Sequence, residues 1–93
     1  MRILQSRSFE RYVRRFNKRQ KAVLDTEIRK ISGNPEIGQQ KKGDLKGVYV
    51  HKFKVQGAQY LVAYRFSPET LELVMIGSHE NYYRDLKAYL KSR

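Results

Sequence analysis

Three kinds of side chain in this 93-residue chain are able to do chemistry together. His79, in the stretch Gly77-Ser78-His79-Glu80-Asn81-Tyr82-Tyr83, is one of two histidines, and imidazole exchanges a proton near neutral pH. Lys52 and Lys54 stand two residues apart in a strand-like run, so their side chains leave one face about 7 Å apart along the backbone. Like charges at that spacing repel unless they face open water or receive an anion, and phosphate is a natural guest. Tyr83 and Tyr82 add rings on which bases can stack. A proton exchanger, two cations and aromatic rings are the parts of a metal-free ribonuclease. In such an enzyme the RNA 2′-hydroxyl attacks its own phosphate, and lysines stabilise the added negative charge of the transition state.

Other chemistries fall away. The chain has no cysteine, its two histidines are expected apart, and no ligand spacing recurs, so neither a metal site nor a cofactor is expected. Ser78 and His79 are sequence neighbours with no orienting aspartate, which does not make a serine triad. The segment Gly43-Asp44-Leu45-Lys46-Gly47 lacks the phosphate-loop pattern.

Charge points the same way. Twenty Lys and Arg against nine Asp and Glu give a net charge of +11, a self-repelling field that a polyanionic partner would relieve. The imbalance is steepest in residues 1–43, with twelve basic and four acidic side chains. No apolar run reaches signal-peptide or membrane-spanning length, so a cytoplasmic protein without membrane contact is expected.

The elements that must position these residues follow from periodicity. Residues 1–5 alternate like an edge strand. Ser8 reads as a helix cap, with Phe9, Tyr12, Val13 and Phe16 on one face and Arg11, Arg14 and Arg15 outward. Asn17 marks the end of that helix. A second helix is expected from Lys18, with Arg19 beside it, to Ile31, with Leu24, Ile28 and Ile31 inward. It stops at Ser32-Gly33-Asn34-Pro35. Residues 36–47, including Lys46, carry no period and read as a loop. Strands are expected at 48–55, 59–66 and 71–77, and a C-terminal helix over 81–93. The order predicts one α+β domain over residues 1–93: an N-terminal helical hairpin packed on a small twisted antiparallel sheet, with a C-terminal helix.

Pairing Val55 with Tyr60 and Phe66 with Leu71 puts Tyr49, His51, Phe53, Val55, Tyr60, Val62, Tyr64, Phe66, Leu71, Leu73 and Met75 on one face. The helical hairpin is its natural cover. The other face holds Val50, Lys52, Lys54, Leu61, Ala63, Arg65, Glu72, Val74 and Ile76. His51 reads as a packed structural imidazole. Arg65 falls opposite Glu72, so an ion pair is its ordinary explanation and a phosphate contact the alternative. Tyr82 suits packing with Leu86, which leaves Tyr83 the better stacking ring.

The order of motifs from Asp44 to Tyr83 resembles the RelE/ParE superfamily of bacterial type II toxins, of microbial-ribonuclease-like fold. The resemblance rests on Leu45-Lys46-Gly47 before a central strand, the Lys52/Lys54 pair, the strand Tyr60–Tyr64, and a late histidine followed by an aromatic. It implies a ribosome-dependent mRNA endonuclease of the RelE or YafQ type. Lys52, Lys54, His79 and Tyr83 would then be catalytic, and Arg11, Arg14, Arg15, Lys18, Arg19, Lys46, Arg65 and Tyr82 would meet nucleic acid. The implied partners are ribosomal RNA, mRNA and a cognate antitoxin. The alternative the resemblance leaves is a ParE-like toxin directed at DNA gyrase. Two departures stand out: RelE carries an arginine where Leu61 stands, and YafQ carries a histidine and an aspartate where Val55 and Gln59 stand.

Overall fold

The computed structural model describes residues 2–78 and 80–92, with the side chain of Asp44 left aside. Strand β1 (Arg2–Gln5) leads into helices α1 (Arg7–Val13) and α2 (Lys18–Gly33). A 3-10 turn at Pro35–Ile37, the two-residue strand β2 (Gln39–Gln40) and a second turn at Gly43–Leu45 follow. Strands β3 (Tyr49–Val55), β4 (Ala58–Phe66) and β5 (Thr70–Ser78) form a meander, and α3 (Tyr82–Lys91) closes the described chain. The sheet order is β1-β5-β4-β3-β2. It is an α+β fold, with one correction to the expected sheet: β1 pairs parallel to β5, so the sheet is mixed rather than wholly antiparallel.

Capping decides the helix boundaries. Ser6, not Ser8, caps α1: its hydroxyl accepts from the Phe9 amide at 3.0 Å and donates to the Val74 carbonyl at 2.7 Å. Ser6 can do this because it still lies beside β5, where its own amide donates to the Leu73 carbonyl. Asn17 opens α2 instead of closing α1. Its side chain and that of Gln20 hydrogen bond reciprocally to each other's backbone amides, both at 2.8 Å.

The first hairpin is tighter than expected. Val55 pairs with Ala58 across the two-residue turn Gln56-Gly57, both residues having positive φ. This moves the pairing of Val55 by two residues from Tyr60, an even step, so every side chain keeps its face. The second hairpin pairs Phe66 with Leu71 as expected, but a bulge follows where Ala63 opposes Met75 and Tyr64 opposes Leu73. One extra residue on β5 inverts the alternation beyond it. Ile76 therefore joins the aromatic core and Met75 packs on the opposite side, the reverse of simple alternation.

Two cores result, one on each side of the sheet. Phe9, Phe16, Leu24 and Ile31 from α1 and α2 cover Phe53, Val55, Val62, Tyr64, Leu71, Leu73 and Ile76. On the other side Tyr82 and Leu86 of α3 cover Val48, Val50, Leu61, Ala63 and Val74, with Leu45 at the rim. Residues 36–47, expected as plain loop, are held by Tyr64. Its buried hydroxyl donates to the Pro35 carbonyl at 2.6 Å and accepts from the Gly38 amide at 2.9 Å.

Candidate functional site

Lys52 and Lys54 project from β3 on the side covered by α3, and both are exposed. Leu61 stands opposite Lys52, Gln59 opposite Lys54, and Gly77 opposite Leu61. The sheet end carrying the two lysines is thus exposed, on the side that α3 covers further along. Among the described residues no carboxylate lies within 4.0 Å of either ammonium. Two cations share one side of a strand with no neutralising group among the described residues.

The start of α3 is fixed against this sheet end. Asn81 takes the left-handed conformation (φ 59°), which turns the chain from β5 into the helix and which Asn tolerates better than most residues. Tyr82 then lies over Gly77, where an added Cβ would come within 3.1 Å of its ring. Tyr82 is buried, and its hydroxyl donates to the Met75 carbonyl at 2.8 Å. Burial pushes that hydroxyl far above its ordinary pKa. This corrects the expectation that Tyr82 meets nucleic acid: its ring belongs to the core. Tyr83 sets its ring edge-to-face against Tyr82 at 5.7 Å and stays only partly covered. His79 lies outside the described residues; its neighbour Ser78 ends β5, cross-strand from Tyr60.

The basic residues of the helices approach the same end from the other side. Phe16 packs edge-on against Tyr60 at 5.3 Å, and Gln20 donates to the Tyr60 hydroxyl at 3.0 Å. Tyr60 lies in the row Phe53–Tyr60–Ser78, so the α1–α2 corner overlies this end of the sheet. Arg14, Arg15, Lys18 and Arg19 are exposed at that corner, and Arg11 is exposed one turn earlier. Tyr12 also turns inward there, its hydroxyl pushed up by burial and by the neighbouring Tyr60.

Lys46 is exposed in the bend before β3. Arg65 is elsewhere: it pairs with Glu72 at 3.7 Å, about 13 Å along β4 from the level of Leu61. That distance separates it from the lysine pair. Leu61, where RelE-type chains have an arginine, is fully buried under α3. His51 faces the helices, as its structural reading expects. Its Nε2 meets the Glu27 carboxylate at 2.8 Å, and Lys30 reaches the other oxygen at 3.0 Å. Burial alone would raise the Glu27 carboxyl, but the His51 and Lys30 hydrogen bonds outweigh it and hold it below its ordinary value.

Two residues escaped the sequence reading. Lys41 places its ammonium 4.5 Å from the centre of the Tyr83 ring. No periodic signal marks it, since it sits in an apparent loop. Glu27 was equally hidden, on the inward side of α2 beside Leu24 and Ile31.

The domain is a small α+β fold with a core on each side of its sheet and an exposed, basic end. A family model described as "ParE-like toxin of type II bacterial toxin-antitoxin system" matches residues 3–87, and the chain belongs to that family within the RelE/ParE superfamily. Solved structures share the fold. The chain is 14% identical to a free-state double mutant of Escherichia coli toxin RelE, with a TM-score of 0.72 over 99% of this chain and 95% of that one. It is 16% identical to a chain of the intact E. coli RelBE toxin–antitoxin complex, with a TM-score of 0.68 over 85% and 96%. A YoeB/ParE toxin from Agrobacterium tumefaciens is 20% identical, with a TM-score of 0.66 over 85% and 99%. No curated protein matches by sequence.

Proposed function

We propose that this toxin is a ribosome-dependent mRNA endoribonuclease that inhibits translation in the cytoplasm. The observation that carries this reading is the exposed Lys52/Lys54 pair, unneutralised by any described carboxylate and on the side of the sheet where the partly open ring of Tyr83 packs. In the proposed reaction the mRNA 2′-oxygen forms a bond to the adjacent phosphorus and the bond to the 5′-oxygen breaks. Lys52 and Lys54 offset the charge that grows on the phosphoryl oxygens. His79 gives its proton to the departing 5′-oxygen. The 2′ proton leaves to water, because Val55 and Gln59 supply no base. Tyr83 stacks on a base, while Arg11, Arg14, Arg15, Lys18, Arg19 and Lys46 hold ribosomal RNA.

A cognate antitoxin is the expected partner. Strand β1, at the sheet edge, supports a docking surface for it: Ile3 and Leu4 are each 44% exposed, with Arg7 and Arg11 beside Leu4 in one groove. An acidic segment with apolar anchors suits that surface.

The ParE-like family match favours a second reading, inhibition of DNA gyrase without cleavage. Primer extension on mRNA, with and without ribosomes, separates the two when run beside a gyrase supercoiling assay. Cleavage only with ribosomes, reduced about 10²–10⁴-fold by His79→Ala, is expected. Gyrase inhibition by a protein that leaves mRNA intact would replace the first reading with the second. Full cleavage by His79→Ala would remove His79 from the reaction.

A further inference from the structure

Lys41 is held in a way that the rest of the basic surface is not. Its backbone amide donates to the Val48 carbonyl at 2.9 Å, which extends the β2–β3 pairing one step beyond Gln40. Gln39 pairs with Val50, so alternation sends Gln39 and Lys41 to the side of the sheet that carries Val50, Lys52 and Lys54. There the Lys41 ammonium rests 4.5 Å from the Tyr83 ring centre and donates to Gln39 Oε1 at 3.0 Å. Among the described residues no carboxylate reaches it. Tyr83 itself is braced by Tyr82, and Tyr82 by Gly77, in the cross-strand row that contains Lys52.

We propose that Lys41 and Tyr83 form a nucleotide clamp: an RNA base takes the ring face now covered by the Lys41 ammonium, and the displaced ammonium takes the adjoining phosphate. The clamp rests on the RNA-cleaving reading above and adds a third cation to its lysine pair. Magnitudes favour the exchange. An exposed cation–aromatic contact is worth about two- to fivefold in an equilibrium. A base stacked on an aromatic ring is worth about five- to 150-fold. A charge-assisted hydrogen bond to phosphate adds about tenfold or more. In the free toxin the contact keeps the ring in place and the ammonium near the site, which lowers the cost of ordering both when RNA arrives.

The test has two arms. Proton NMR of the free toxin should show the Lys41 ε-methylene signals shifted upfield by the ring, unchanged in Tyr83→Phe and returned to ordinary values in Tyr83→Leu. Single-turnover cleavage of mRNA on programmed ribosomes, followed against toxin concentration and salt, supplies the second arm. Lys41→Met should weaken apparent affinity about tenfold and reduce the salt slope by about 0.7, the share of one phosphate on a single strand. Lys41→Arg should restore both. Should Tyr83→Leu not fold, the wild-type spectrum and the two Lys41 variants still decide. Parental affinity and salt slope in Lys41→Met, from a toxin that cleaves, would overturn the clamp and leave the endonuclease reading standing. A wild type that cleaves nothing on ribosomes removes both.

Discussion

Gly38→Ala tests how the segment bearing Lys41 is tied to the sheet. Gly38 has φ −76° and ψ 167°, a conformation open to any residue, so backbone freedom is not why glycine stands there. Space is the reason. An added Cβ would lie 2.6 Å from the Tyr64 hydroxyl, 3.0 Å from Cε1 of the same ring and 3.0 Å from the Val50 carbonyl. Tyr64 is fully buried and Val50 is paired on both edges of β3, so neither neighbour yields easily. Overpacking of this kind costs about 1–3 kcal/mol. The Gly38 amide bond to Tyr64, if lost, costs a further ~0.5–1.5 kcal/mol. Restricting the unfolded chain returns about 0.4–1 kcal/mol. The net expectation is a loss of about 0.5–4 kcal/mol, centred near 2. For a domain of this size a loss near 2 kcal/mol lowers the melting temperature by roughly 8–16 °C. Urea unfolding followed by circular dichroism gives the free energy directly. In a Tyr64→Phe background the same substitution should cost less, because the closest atom is gone. A Gly38→Ala protein as stable as the parent would refute the steric argument, and an equal cost in the Tyr64→Phe background would place the strain at the ring edge and the Val50 carbonyl rather than at the hydroxyl.

Three further outcomes are expected. Glu27→Gln should cost about 1–2 kcal/mol at pH 7 through weakened bonds to His51 and Lys30. The folded Glu27 carboxyl lies below its ordinary value near 4.5, so its stabilisation is present above that pH and lost as pH falls through the folded value; urea midpoints of parent and variant should converge in acid. Tyr82→Phe should lose about 1 kcal/mol, since the partly buried Met75 carbonyl forfeits its donor, while cleavage by the folded fraction stays at the parental level. Lys52→Ala with Lys54→Ala should keep the fold, because both side chains are exposed, and should lose cleavage by more than it loses ribosome binding. Equal losses in cosedimentation and primer extension would make the pair a docking surface only.

The sheet faces were legible because period-2 alternation survives errors in register that are even. The pairing Val55–Tyr60 was off by two residues, yet Lys52, Lys54 and Leu61 were still assigned to one side and Phe53 and Tyr60 to the other. The bulge on β5 was not legible. It adds a single residue, and Val74-Met75-Ile76 is apolar throughout, so no polar residue marks the break in alternation. The helix caps were misread by a similar ambiguity. Ser6 and Ser8 are both capping residues by type, and only the long-range bond from Ser6 to Val74 selects between them.

Lys41 shows why the rest of the site was not read. Its side of the sheet is set by only two β2 residues, Gln39 and Gln40, both polar and both exposed, so hydrophobic alternation carries no information there. What places β2 is a contact remote in sequence: Tyr64, in the middle of β4, holds Pro35 and Gly38 by its hydroxyl and so fixes where the following residues join the edge. The aromatic core on one side of the sheet thus positions a lysine on the other. A change at Tyr64 or Gly38 should therefore reach the Lys41–Tyr83 contact without touching either residue. The Lys41 ε-methylene shift in Gly38→Ala is the readout, and its movement toward an ordinary value in a protein that remains folded is the expected result. An unmoved signal would mean that β2 is placed by its pairing with β3 alone.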